Sequence, residues 1–141
     1  MDAKQYLSQI KKQDLIIENC LFEIARYRDI ACGLGGGYND GVQVQGSKDN
    51  NTEKNMIMYV DKKEQLVKTI EAASKERLRI IRMIEKLENR DLTILYKRYV
   101  QGKLFKEIGF EMGLSQTGIT YMHRKALEHF QELIDREKLY G

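Results

Sequence analysis

Few residues in this 141-residue chain could do covalent or metal chemistry, and their spacing is poor for it. Cys20 and Cys32 lie twelve residues apart on what reads as one continuous helix, too far to be bridged within it, so both read as buried, reduced thiols. His123 and His129 have no nearby cysteine, and their i, i+6 spacing puts them on different helical faces, which gives a metal site no support. The stretch GLGGGYNDG has the glycines of a phosphate loop, but it leaves a helix instead of a strand and never reaches Gly-Lys-Ser or Gly-Lys-Thr. It reads as a flexible connector. With no nucleophile beside a base, no paired carboxylates and no metal cluster, the expectation is a protein that is not an enzyme and carries no cofactor or metal.

Non-covalent recognition is the chemistry that remains. Between residues 96 and 125, Lys97, Arg98, Lys103, Lys106, Arg124 and Lys125 stand against only Glu107 and Glu111, whereas residues 1 to 32 carry equal numbers of each sign. An excess of this size is a weak electrostatic footprint for nucleic acid, which a solvated mixed surface also produces. Gln116, Thr117 and Tyr121 are suited to base edges, and Lys103, Lys106, Thr120, Arg124 and Lys125 to phosphates.

The elements that must position these side chains are helices. KEIGFEMGLSQTGITYMHRKAL, Lys106 to Leu127, reads as two of them despite three glycines, among the poorest helix formers. A helix-turn-helix explains two. Gly109 is the tiny residue over which the second helix passes, and Gly113 takes the positive φ of the turn. Ser115 caps the second helix, and Ile108, Met112, Leu114, Ile119 and Met122 fall on the inward face. Gly118 sits beside the outward set and has no such explanation.

Upstream, Asp2 and Gln5 resemble a capping box. From there Tyr6, Ile10, Gln13, Ile17, Cys20, Ile24, Tyr27 and Ala31 step by four and three, predicting an amphipathic helix to Gly33. A second such run, Tyr59 to Leu87, begins near Thr52. Its extra apolar residues Val60, Val67, Leu78 and Ile81 widen the stripe beyond a two-helix seam, so the pair should also pack on something else. A further helix containing Leu92, Leu95, Tyr96 and Tyr99 starts near Asn89 to Asp91, either of which could cap it, and ends at Gly102.

The expected fold is therefore all-α: a long N-terminal helical hairpin or coiled coil over residues 1–89, with a flexible linker at 33–51, joined to a helix-turn-helix domain over 90–141. A formal charge of +3, 42% hydrophobic and 32% charged residues, and no proline fit such a helical protein. No apolar run approaches the ~18 residues of a membrane helix, and the start MDAKQYLSQIKKQ lacks a signal peptide's apolar middle, so no membrane partner and a cytoplasmic location are expected.

The segment LTILYKRYVQGKLFKEIGFEMGLSQTGITYMHRKALEHF resembles region four of bacterial sigma factors, matching its pattern at Arg98-Tyr99, Gly102, Glu107-Ile108-Gly109, Ser115, Ile119 and Lys125-Ala126-Leu127. The whole chain, with segments such as YLSQIKKQDLIIENCLFEIARYRDIA and LYKRYVQGK, is similar to small phage and prophage proteins of Gram-positive bacteria related to the ArpU and RinA type transcriptional regulators. The resemblance implies binding of double-stranded DNA, control of phage or late-gene transcription, and RNA polymerase as a possible partner. Leu104 departs from the pattern, standing where a Ser or Thr cap is expected opposite Glu107. Nothing resembles the sigma segment that melts promoter DNA, so the resemblance implies an accessory factor.

The expectation is thus a sequence-specific DNA-binding regulator whose helix from Ser115 enters the major groove, with the long helices forming a homodimer. Two rivals have the same parts: a phage DNA-packaging subunit of the small-terminase kind, which must form a ring, and an adaptor that contacts RNA polymerase without touching DNA.

Overall fold

The computed structural model describes residues 1–33 and 48–140. The fold is all-α, with no strand among these residues. Five α-helices follow one another: α1 (Ala3–Ala31), α2 (Lys48–Ile84), α3 (Asn89–Leu95), α4 (Phe105–Met112) and α5 (Gln116–Tyr140), with α3 continued by a π-helical turn, Tyr96–Val100.

Local chemistry explains most of the boundaries. Asp2 and Gln5 form the reciprocal capping box: the Gln5 N–H donates to Asp2 Oδ1 at 2.8 Å and the Asp2 N–H to Gln5 Oε1 at 3.0 Å. Helix α1 ends at Ala31, two residues before Gly33. Helix α2 starts at Lys48, four residues before the Thr52 expected from the heptads, because no glycine or proline interrupts the chain after Gly46. The rest of the glycine-rich linker, residues 34–47, lies outside the described residues.

Neither Asn89 nor Asp91 caps α3; Glu88 is the N-cap residue, without a side-chain hydrogen bond. Asp91 is instead drawn to α5, where its Oδ2 lies 2.5 Å from His129 Nδ1.

The chain divides into two compact units, one made of Met1–Asp14 with Lys75–Gly141, the other of Leu15–Ser74. That division does not fall at 89/90. In the first unit the larger core takes Leu7 and Ile10 from α1, Ile80, Ile81 and Ile84 from α2, Leu95 from α3, and Ala126, Phe130 and Ile134 from α5. Each large side chain fully buried there stabilises the fold by ~1.5–3 kcal/mol. Ile81, one of the residues that widened the stripe, is buried in this core. Within the same unit α1 and α2 run antiparallel, since Tyr6 Oη donates to Met83 Sδ at 3.2 Å while Asp14, eight residues further on α1, accepts from the guanidinium of Arg77, six residues earlier on α2, at 2.6 Å.

In the second unit the sequence seam is followed, with Cys20, Ala31 and Ala73 buried and Ile17, Ile24, Leu66 and Ile70 half-buried. Lys63, four residues after Tyr59 in the same four-and-three stepping, is exposed, and so is Cys32, which lies past the end of α1 and not in the expected interior. No helix among the described residues is long and apolar enough to cross a membrane.

Candidate nucleic-acid interface

Helices α4 and α5 meet through the turn Gly113–Ser115, and each small residue there has a measurable reason. Gly113 has φ 68° and ψ 32°, the left-handed region that glycine enters at no steric cost. The Leu114 N–H donates to the Gly109 carbonyl at 2.7 Å and the Gly113 N–H to the Phe110 carbonyl at 3.4 Å, the paired bonds of a Schellman ending. Gly109 is a close approach: a Cβ there would lie 2.9 Å from the Leu114 carbonyl oxygen and 3.7 Å from Ile119 Cγ2. Ile94, Ile108 and Ile119 are fully buried in a second small core, flanked by Phe105, Met112, Leu114 and Met122.

Ser115 caps α5, its Oγ accepting the Gly118 N–H at 3.0 Å. This bond also accounts for Gly118, which is the third residue of the helix and not an interior one. A Cβ on it would come within 3.2 Å of the same Oγ, so glycine leaves the cap oxygen room to sit close. Leu104 is the N-cap residue of α4 and offers no side-chain bond, as expected for a site that lacks Ser or Thr.

The outward face of α5 brings Gln116, Thr117, Thr120, Tyr121 and Arg124 together along one shallow groove. All five are exposed. Tyr121 is the hub: the Arg124 guanidinium lies 5.4 Å and the Lys125 ammonium 5.6 Å from its ring centroid, cation–π distances that steer both charges toward this face. The Thr120 hydroxyl donates to the Gln116 carbonyl at 2.9 Å, which leaves its oxygen lone pairs outward but engages its proton.

The phosphate set is less uniform than its sequence. Lys106 is exposed on α4 with no ion pair among the described residues. Lys103 is engaged: its ammonium lies 2.5 Å from Glu111 Oε1, while Lys97 lies 2.7 Å from Glu111 Oε2. The two ammonium groups hold the Glu111 carboxyl below its usual pKa, Lys103 contributing first. Lys125 also has an acidic neighbour, Glu128, at 3.4 Å. The cationic patch counted along the sequence is thus partly neutralised in space.

Two features escaped the sequence reading. Phe110 on α4 is 89% exposed beside the cleft that Lys106 and Gln116 also line. Lys4 and Lys11 of α1 line a groove with Arg98, Leu104 and His123, adding positive charge that the balanced count over residues 1–32 conceals.

His123 reports on that groove. Half-buried, with its Nε2 2.9 Å from Tyr99 Oη and its ring edge-on to Phe105, it is lowered to about 4 by desolvation first and then by Arg98 and Lys4. Between its ordinary ~6.5 and the lowered value, the unfolded chain binds a proton that the folded chain refuses, so this histidine's effect on stability declines as pH falls through that window. Discounting for partial exposure, the loss from pH 7 to pH 4 is ~1–2 kcal/mol. His123→Phe is expected to remove that part of the pH dependence in denaturant titrations, while the wild type retains it. His129 acts oppositely. Asp91 raises its pKa, so its contribution is present below the ordinary value and fades as pH climbs through the raised one.

Among the described residues no group of three or more potential metal ligands occurs. An all-α unit with a capped, outward-facing helix defines the class of the protein as far as its geometry goes. The chain belongs to the family described as Protein of unknown function (DUF1492), whose model matches residues 34–131. No curated protein and no solved structure matches it.

Proposed function

We propose that the protein is a sequence-specific DNA-binding regulator of transcription, of the phage or prophage kind, working in the cytoplasm without a cofactor. The observation that carries this reading is the face of α5 built by Gln116, Thr117, Thr120, Tyr121 and Arg124, presented just after a Ser115 cap and a Schellman turn. In this reading α4 and α5 form a helix-turn-helix, α5 enters the major groove, Gln116, Thr117 and Tyr121 meet base edges, and Lys106, Arg124 and Lys125 meet phosphates. Selection of bound sequences from random duplex DNA tests it: an enriched motif is expected, and no enrichment at low salt overturns it.

Glu111 makes the reading sharper. Its carboxylate lies between Lys97 and Lys103 as a phosphate oxygen would, so Glu111→Gln releases two ammonium groups for DNA. The variant is expected to bind random duplex several-fold more tightly, with a salt slope steeper by roughly one to two counterions. An unchanged slope in titrations from low to moderate salt would mean that these lysines face away from the duplex.

One observation favours a second reading. An almost fully exposed Phe110 is better suited to a protein than to a phosphate backbone, which fits an adaptor docking α4 on RNA polymerase or another factor. Failure of DNA selection together with loss of polymerase binding in Phe110→Ala would establish that alternative.

A further inference from the structure

We propose that the groove between the start of α1 and the π-helical turn is a binding site for a chain of phosphate groups. Its lining residues all belong to the first unit, among them Lys4, Lys11 and Asp14 on α1, Arg98 and Tyr99 on the turn, and His123 on α5. Its volume is about 810 Å³, inside the ~300–1,000 Å³ range of small-ligand sites.

Charge selects what fills it. Three cations line the groove against one carboxylate, and that carboxylate, Asp14, is already held by the Arg77 guanidinium at 2.6 Å. Lys4, Lys11 and Arg98 have no acidic partner among the described residues. Exposed lysines tolerate this in water, but a half-buried arginine without counter-charge is costly. Arg98 is half-buried, and the contacts that hold it are neutral: its Nη1 donates to the Lys103 carbonyl at 3.0 Å, and its guanidinium lies 4.1 Å from the Phe105 ring centroid. These contacts fix the guanidinium without cancelling its charge. An oxyanion would supply the counter-charge, and the guanidinium fork matches phosphate oxygens in pairs.

His123 shows that the charges converge on the groove. After desolvation, the causes that hold its ring neutral are Arg98 and Lys4, one from the turn and one from α1. Lys4 and Lys11 lie two helical turns apart on one face of α1, ~10 Å by the helical rise, so positive charge is spread along the groove. An elongated anion with several charges in a row fits this spread better than a single carboxylate does. Two sources share that chemistry: the backbone of a bound duplex, and a free ligand carrying a polyphosphate.

The site is tested without DNA, on the full chain. Titration with sodium triphosphate at low ionic strength is expected to show saturable binding by calorimetry, with the His123 ring resonances shifting over the same range. Lys4→Gln combined with Lys11→Gln is expected to weaken that binding by roughly tenfold or more. Lys54→Gln combined with Lys68→Gln removes the same charge from exposed positions on α2 and should leave binding within about twofold. No saturable binding, unmoved His123 resonances, or equal weakening by the two pairs overturns the proposal. Competition with a short random duplex then identifies the source. Displacement of triphosphate by the duplex, with duplex binding weakened in the Lys4 and Lys11 pair, assigns the groove to the DNA backbone. A duplex that binds without displacing triphosphate, or does not bind, assigns it to a free polyphosphate ligand. Absence of any duplex binding overturns the regulator reading and leaves the groove's assignment standing, so the two fail separately.

Discussion

Gly109→Ala is expected to destabilise the protein by ~1–3 kcal/mol, although alanine is the better helix former by ~1 kcal/mol. The reason is steric: the new methyl would stand 2.9 Å from the Leu114 carbonyl oxygen, and that oxygen belongs to a turn held by its own hydrogen bonds. Backbone cannot swing aside as a side chain tip can. Gly113 gives the matching conformational case, because a Cβ there meets nothing within 4 Å yet φ is 68°. Gly113→Val is therefore expected to cost more than ~1 kcal/mol through backbone strain alone, and Gly113→Asn, which tolerates the left-handed region, distinctly less. Denaturant titrations of the variants check the pair. Equal stability of the wild type and Gly109→Ala would mean that α5 does not pass so close to α4.

The second large effect separates reading from holding. Gln116→Ala is expected to lose affinity for a selected site by ~1–3 kcal/mol, the worth of one good amide–base pairing, while binding to random duplex stays nearly unchanged. Lys106→Ala should differ in kind. As the exposed cation of α4, with no ion pair among the described residues, it should weaken binding to both DNAs and flatten the salt slope by about one counterion. Lys103 is the poorer test of phosphate contact, because Glu111 already holds it. Equal weakening of both DNAs by Gln116→Ala would sink the proposed docking even if the protein bound DNA.

Much of the fold is legible along the chain because its determinants are local. The capping box at Asp2, the αL glycine at 113, the Ser115 cap and the small residue at 109 each depend on neighbours within ten positions. What the sequence hides depends on distance in space. Glu111 meets Lys97 and Lys103 only because the π-helical turn and Gly102 fold the chain back, so their neutralisation is invisible to a charge count. Phe110 is apolar, which predicts burial, yet it falls on the outer side of a helix too short to bury two faces. Asp91 has the right type and place for a cap but finds a stronger partner in His129. The boundary at 89/90 follows a change of periodicity along the chain. It could not show that Leu7 and Ile10 share a core with Phe130 and Ile134.

That shared core has a consequence for how the protein is made. Residues 3 to 10 leave the ribosome long before Phe130 and Ile134, and until those arrive Leu7 and Ile10 have only α2 to cover them. Contacts so distant along the chain cost loop-closure entropy before they reward it, and such contacts form late. Long helices can appear as they emerge, but the unit presenting Gln116 cannot close domain by domain during synthesis. Its outward α5 face is set only once Phe130 and Ile134 have emerged, and a chain stalled before residue 130 would present α1 and α2 without it.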